Sequence, residues 1–370
     1  MREAEAWSRR GTRRRIARPR PWAGLLLTLV LAGVLLPLPR AEAFPIAPWT
    51  LWELTETAEL VVWADVEKVM DLLPPKSPEE KRERDRWDDS EVAYLRVREV
   101  WRGQARPDEQ LKVYFNGSYL CPAPPHYEPG QAVIAFLKRE GGLWRTVALS
   151  YGTRYPESDD ELAAYRRAVT RFRVTQEQAI VARAAGRGEA GVQAALTDWQ
   201  VLAAEHPATR WDGLYGLEPA SDEDLWFYDP RSHAPPHLFP AHREQLARAF
   251  VTAPSLDRTS VMMLTVLRGH ISADVDDTAA RVLETVLAEE RPPYWALSAF
   301  DLLRERYGEK PEARSEQTQD PLLRAHGDAT DALPLLQQWQ HFKQRHHLAP
   351  KRLPLPAGPG VPGTGANTTL

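Results

Sequence analysis

A cysteine and a histidine lie five residues apart in a proline-rich segment, and this pair is the first candidate for chemistry. Cys121 is the only cysteine of the chain, and His126 follows it. A cysteine nucleophile needs a base within hydrogen-bond reach and a third group that orients the base. A short proline-rich loop does not supply that geometry, so we expect a structural thiol and no catalytic residue here. The segment with Cys121, His126 and Tyr127 is a candidate binding loop.

Three histidines, His233, His237 and His242, cluster in and after a second proline-rich loop. Zinc takes three or four ligands that partner groups hold in place. The spacing of the first two would fit one face of a helix, but Pro235 and Pro236 between them forbid a helix there. The three histidines are therefore the only metal candidates, and the sequence predicts neither a bound metal nor another cofactor.

An acidic cluster, Asp274, Asp276 and Asp277, has some features of a calcium loop. An EF-hand that starts at the first of these needs glycine and glutamate where this chain has Ala279 and Thr285. We therefore interpret the cluster as an N-cap and as favourable charge at the start of the following helix. The chain also contains no G-x-S-x-G, H-E-x-x-H or P-loop pattern, and we predict that it is not an enzyme.

Aromatic residues are dense in the middle of the chain. They are numerous enough to line a ligand surface. At helical spacing, however, such residues more often belong to a core, and we favour that interpretation. The set comprises Trp199, Trp211, Tyr215, Trp226, Phe227 and Tyr228.

The N-terminal segment has the three parts of a secretory signal peptide. Arginines dominate the first residues, an uncharged leucine-rich run follows from Trp22 to Leu38, and Ala41 and Ala43 provide the small residues of a cleavage site. We expect a signal peptide over residues 1–43 and an exported protein, periplasmic or secreted. Because the apolar run is at the short edge of what spans a bilayer, an uncleaved anchor is the alternative.

Charge argues against a nucleic-acid partner. Removal of residues 1–43 takes away nine arginines and three glutamates, which leaves 38 basic and 48 acidic residues and a net charge of −10. An acidic surface repels phosphate backbones, so we expect no nucleic-acid partner. The single cysteine also excludes a disulfide within the chain, and stability must come from packing.

The two halves of the chain differ in hydrophobic period. Residues 93–97 and 111–115 alternate between apolar and polar side chains, and a continuous apolar run covers residues 132–137. These patterns predict five or six short strands in a small barrel or sandwich. The charged, proline-bearing stretch 74–89 predicts a solvated hairpin loop. From Ser158 onward the period becomes helical, with a capping box and helices joined by short turns.

Three segments of the first half resemble a known family. They are TAELVVWADVEKV (57–69), EVAYLRVREVWRG (91–103) and LCPAPPHYEPGQAVIAFLKREGGLWRT (120–146). Their order is similar to that of the OB-like barrel of the netrin and tissue-inhibitor-of-metalloproteinase superfamily, in its bacterial secreted form. The resemblance implies that fold and a protein-binding role. Inhibitors in this family chelate zinc through an N-terminal cysteine, whereas the expected mature terminus here is Phe44, so that mechanism is not implied. The second half looks like HEAT-type helical repeats, with an irregular helical bundle as the alternative.

Together these features predict an OB-like β-barrel followed by an all-α, HEAT-like domain. We expect the signal peptide at 1–43, the barrel at 44–155, the helices at 158–349 and a disordered Pro/Gly-rich tail at 350–370. The expected function is that of an exported, non-enzymatic scaffold with a protein partner. The alternatives are an inhibitor of a secreted protease that acts through the barrel loops, or a hydrolase with an unrecognised site.

Overall fold

A computed structural model of the chain describes residues 49–118, 123–186, 188–218, 238–310 and 332–354. In its first half the elements are α1 (Leu51–Thr57), β1 (Leu60–Asp71), α2 (Pro78–Trp87), β2 (Glu91–Arg102), β3 (Gln110–Phe115), β4 (Ala132–Glu140), β5 (Leu143–Thr146), a 3-10 helix (Leu149–Gly152) and β6 (Thr153–Arg154). In its second half they are α3 (Asp159–Ala184), α4 (Gly188–Glu205), α5 (Pro207–Leu217), α6 (Pro240–Thr252), α7 (Thr259–Val266), α8 (Ala273–Val286), α9 (Ala296–Arg306) and α10 (Ala332–Arg345). The barrel and the helices belong to one compact unit.

The strands form a sheet that closes on itself. Their order is β1-β2-β3-β5-β4-β6, and β1 also pairs with β4, which closes the first five strands of this order into a ring and leaves β6 beside β4. All pairs are antiparallel except β3 with β5. This near-barrel, followed by helices, confirms the predicted fold class.

β4 shows why a strand can be apolar on both faces. Val133, Ala135 and Leu137 point into the barrel core, where they join the inward residues of β1, β2 and β3. Ile134 and Phe136 point outward, and they are buried as well because α1 and α3 cover this side of the ring. The continuous apolar run that predicted a buried strand therefore reflects two separate cores that share one strand.

The segment 74–89 joins the antiparallel strands β1 and β2, as predicted for a hairpin connection, but it contains a helix where a loop was expected. The Ser77 hydroxyl accepts a hydrogen bond from the Glu80 amide, and Pro78 occupies the first helical turn. Both are helix-start signals, and the acidic first turn suits the positive end of the helix dipole. Arg84 forms an ion pair with Glu80 one turn earlier. The capping interactions therefore stabilise a helix here, although the segment is polar.

The helices of the second half stack in two layers. Successive helices pair as α4 with α5, α6 with α7 and α8 with α9. In addition α4 contacts α6, α6 contacts α8, α5 contacts α7, and α7 contacts α9. Each helix from α4 to α9 thus packs on its pair partner and on a helix two positions away in the chain, the arrangement expected of stacked helical pairs. A shared core of apolar side chains runs through the stack.

A buried arginine holds the end of one helical pair against the next. Arg210 on α5 is fully buried and donates hydrogen bonds to the carbonyls of Ala204 and Ala253, at 3.2 and 2.6 Å, and to the Ser255 hydroxyl. These acceptors include carbonyls near helix ends that would otherwise lack donors. Burial lowers the pKa of Arg210 to about 10, while the charge of Asp257 acts to raise it.

Two helix boundaries refine the sequence interpretation. The N-cap of α8 is Ser272, whose hydroxyl accepts from the Val275 amide, so the proposed aspartate N-cap was wrong. Asp274 and Asp276 lie in the first turn, as the dipole argument requires. At the C-terminus, the Leu353 amide donates to the Thr285 hydroxyl at 2.8 Å, so residues up to 354 lie against α8. The rest of the predicted tail lies outside the described residues.

Candidate binding surface

The predicted binding loop is divided between core and solvent. Tyr127 is buried in the barrel, where its hydroxyl lies 2.6 Å from the Thr146 hydroxyl. Burial raises the pKa of Tyr127 above its ordinary value, and the hydrogen bond with Thr146 opposes this. Its ring is therefore a core residue and cannot contact a partner directly. Cys121 lies outside the described residues.

His126 is the exposed member of this loop. Its ring lies 5.5 Å from the ring of Tyr155, measured between centroids, and its Nε2 lies 3.3 Å from a carboxylate oxygen of Glu128. The Tyr155 hydroxyl donates to the His126 carbonyl at 2.7 Å and accepts from the Glu128 amide at 3.2 Å. These contacts tie the described part of the loop, from residue 123 onward, to Tyr155.

The histidine candidates do not form a metal site in the part of the chain that the structure describes. His242 lies on α6, and its Nε2 is 2.9 Å from the Asp198 carboxylate on α4. His233 and His237 lie outside the described residues. Among the residues described, no group of three or more histidine, cysteine, aspartate or glutamate side chains is placed to hold a metal ion.

The aromatic set follows the predicted core assignment where it is described. Trp199 is buried beneath α1, and Trp211 and Tyr215 pack partly buried against the helical core. Trp226, Phe227 and Tyr228 lie outside the described residues. The three that can be placed therefore do not form an exposed ligand surface.

The outer face of β1, β2 and β3 carries a network of exposed and half-buried side chains. Its outward residues alternate with the inward apolar ones, except at a bulge in β1 that places both Glu67 and Lys68 outward. We define the ladder face as the outward side chains of these three strands: Trp63, Asp65, Glu67, Lys68, Tyr94, Arg96, Arg98, Gln110, Lys112 and Tyr114. The alternation in β2 predicted that its polar residues face solvent. It did not predict a binding surface, because which side chains are neighbours across strands depends on strand register.

Ion pairs link neighbouring strands across the ladder face. Arg98 on β2 donates to the Asp65 carboxylate on β1 at 2.7 Å. Arg96 donates to the Glu67 carboxylate, which also accepts from the Gln110 amide on β3. The hydrogen bonds from Gln110 and Arg96 hold the pKa of Glu67 below its ordinary value, against the effect of desolvation. The carboxylates thus brace three strands on their exposed side.

Cations also lie over aromatic rings on this face. The Arg98 guanidinium is 4.6 Å from the Trp63 ring centroid. Lys68 and Lys112 place their ammonium groups 4.5 and 5.6 Å from the ring centroid of Tyr94. Arg84 on α2 extends the pattern to Tyr114 at 6.0 Å. Such contacts hold long side chains in place at an exposed site.

Comparison with known proteins identifies no relative. No family model matches the chain, no curated protein is similar to it, and no solved structure resembles it. Its function has to be argued from its own geometry.

A buried carboxylate joins the barrel to the helices. Asp212 on α5 is buried, accepts a hydrogen bond from the Leu51 amide at 2.7 Å, and lies 4.0 Å from the Arg154 guanidinium on β6. Burial raises the pKa of Asp212 to about 6, although Arg154 and the Leu51 amide act to lower it. Nearby, burial raises the pKa of Tyr165 to about 12. Asp212 is buried and contacts α1 and β6, so this cluster is a junction between the barrel and the helices.

Within the described residues, no helix combines the length and the apolar composition needed to cross a membrane. The segment predicted to direct export, residues 1–43, lies outside the part of the chain that the structure describes.

Proposed function

We propose that this is an exported, non-enzymatic scaffold protein that binds a protein partner through the ladder face. The observation that supports the proposal is the set of tryptophan, tyrosine and arginine side chains ordered on the exposed side of β1, β2 and β3. Tyrosine, tryptophan and arginine are the residue types enriched at protein–protein interfaces and at their energetic hot spots.

The side chains of the ladder face are already ordered in the unbound protein, which favours this interpretation. A long exposed side chain loses conformational entropy when a partner immobilises it, and this loss weakens binding. Here cross-strand ion pairs and ring contacts already restrict Arg96, Arg98 and Lys68 in the free protein. The ladder face is therefore arranged to bind with a smaller entropic loss than an ordinary charged surface.

The closed ring determines how a partner approaches. β4 covers one edge of β1 along Leu60–Asp65, and β3 covers one edge of β2 along Glu91–Arg96, while β1 and β2 cover each other. A partner strand therefore finds no free edge to extend along these segments. Recognition there uses side chains, which agrees with the chemistry concentrated on this face.

Site-specific photocrosslinking tests the proposal. A photoreactive amino acid replaces Gln110 on the ladder face, or Glu177 on α3, where the exposed fraction of the side chain is 64%. Both variants are expressed in the native host and irradiated in intact cells. We expect a discrete crosslinked protein from position 110 and not from position 177. Equal products from both positions, or none from position 110, would contradict the proposal.

A further inference from the structure

We infer that the partner presents a short acidic segment, whose carboxylates dock on the platform formed by Lys68, Tyr94 and Lys112. The inference rests on the proposed function and deepens it, because it assigns a chemistry to the part of the ladder face that the partner contacts.

The lysines and the arginines of the ladder face differ in whether they have a carboxylate partner. Arg96 and Arg98 each have a carboxylate partner on β1, namely Glu67 and Asp65. Lys68 and Lys112 have no carboxylate within ion-pair distance among the residues that the structure describes, although both are exposed. The two lysines of the face that lack an ion-pair carboxylate therefore both belong to the platform, although the charge of Lys68 also acts on the nearby Glu67 carboxylate.

The ring of Tyr94 brings these charges together. Lys68 reaches it from β1 and Lys112 from β3, and the two ammonium groups lie 4.5 and 5.6 Å from the same centroid. The backbone register is consistent with this, since Tyr94 is paired with Lys68 on one side and with Lys112 on the other. A ring contact restrains an ammonium group without neutralising it. Both lysines thus remain available to an anion.

The charge of the protein as a whole restricts the kind of partner. The chain without residues 1–43 has a net charge of −10, so a large acidic surface is repelled by most of the molecule. Exposed charges interact mainly within a Debye length of about 8 Å at physiological salt. A short acidic segment can approach two nearby lysines while the rest of its protein stays outside this range. The platform therefore favours a local run of aspartate or glutamate.

Titration with model peptides tests the inference on the intact mature protein. Hexaglutamate is the probe, hexaglutamine is the uncharged control, and inorganic phosphate tests for simple anion binding. We expect hexaglutamate alone to bind, with an affinity that falls as salt rises. Each of Lys68→Gln and Lys112→Gln is expected to weaken binding by up to about fivefold, as for exposed ion pairs. Lys351→Gln, at an exposed position far along the chain, is expected to leave it unchanged.

The outcomes separate this inference from the proposed function. If hexaglutamate fails to bind, or binds equally to the Lys68→Gln/Lys112→Gln double variant, the acidic-segment inference is wrong. If inorganic phosphate binds the platform as well as hexaglutamate does, the platform is a small-anion site and the inference is also wrong. The proposed function is tested separately: it fails if position 110 gives no crosslinked protein, or gives the same products as position 177.

Discussion

At the scale of single residues, the buried carboxyl group of Asp212 shows how the junction between barrel and helices depends on pH. Its folded-state pKa is raised from 3.8 to about 6, chiefly by burial. The folded protein therefore binds this proton more tightly than the unfolded chain does. Between these two values stability falls as pH rises, and above about pH 6 the destabilisation is fully present, on the order of 3 kcal/mol.

The first prediction concerns Asp212→Asn. The amide oxygen can still accept from the Leu51 amide, while the buried charge is gone. Arg154 keeps its backbone acceptors, the carbonyls of Tyr151 and Thr153. We expect the variant to be more stable than the wild type at about pH 7.5 and nearly equal to it at about pH 3, below both pKa values. Thermal unfolding at the two pH values measures this. A stability difference independent of pH would contradict the assignment.

Residue environments such as this one could not be predicted from the sequence. Nothing in the local pattern around Asp212 distinguishes it from a solvated helix residue, because its burial arises from α1 and β6, distant in sequence. Tyr127 is a similar case, since the proline-rich loop suggested exposure but the barrel core encloses its ring. Burial of single polar groups depends on tertiary contacts that periodicity does not encode.

At the scale of elements, α4 and α5 approach each other closely at two glycines. A Cβ atom on Gly213 would lie 2.2 Å from the Gln200 carbonyl oxygen and 2.4 Å from the Ala204 backbone nitrogen. A Cβ atom on Gly216 would instead meet the end of the Gln200 side chain at 2.0 Å. Backbone atoms of a packed helix cannot move aside as a flexible side chain can. The contact of the two helices therefore depends more on the first glycine.

The second prediction compares Gly213→Ala with Gly216→Ala. Both gain the helix propensity of alanine, about 1 kcal/mol, so their difference isolates the clash. We expect Gly213→Ala to lower the free energy of unfolding by about 1–3 kcal/mol, as overpacking does. Gly216→Ala is expected to have a smaller effect, because Gln200 can change rotamer. Chemical denaturation of both variants gives the comparison, and equal stabilities would show that the helices separate more easily than we infer.

Elements were predictable where one local signal dominated. Alternation at residues 93–97 and 111–115 correctly predicted β2 and β3, whose inward residues are buried. The helix α2 was missed because its charged composition was given more weight than Ser77, Pro78 and Glu80, although those residues supply a capping signal. The ladder face could not be predicted in the same way, because it depends on strand register, and turns and bulges determine the register.

At the scale of the whole molecule, the barrel and the helices share a core. Val61, Ile134 and Phe136 of the ring are fully buried, and they belong to the same cluster as Tyr165 and Trp199 of the helices. Arg166 on α3 also forms two hydrogen bonds, at 2.9 and 2.8 Å, with Glu99 on β2. The change of the hydrophobic period at residue 158 therefore marks a change of secondary structure. Each half buries apolar side chains of the other in the shared core.

The third prediction is that residues 44–155 do not form a stable monomer without the helices. Removal of α3 and α4 uncovers the apolar outer side of β1 and β4, an exposed patch of the kind that promotes association. We expect this fragment to bind a hydrophobic dye and to aggregate, whereas residues 44–354 remain monomeric. Size-exclusion chromatography with dye fluorescence distinguishes the two. A monomeric fragment with a cooperative thermal transition would show that the barrel is independent.

The fourth prediction addresses the central claim, that the ladder face is the binding surface. The partner captured through position 110 is titrated against the wild type, against Arg96→Ala/Arg98→Ala, and against Arg248→Ala. The control arginine is also exposed and also paired with a carboxylate, Glu244, but it lies on α6. Loss of such exposed ion pairs costs little stability, so all three proteins should unfold at similar temperatures.

The dissociation constant of this complex is the most direct test. We predict that Arg96→Ala/Arg98→Ala weakens binding by at least about tenfold, since arginines at the centre of an interface supply much of its energy. Arg248→Ala is predicted to bind as tightly as the wild type. Equal affinity of all three proteins would contradict the claim and would place the partner on another surface.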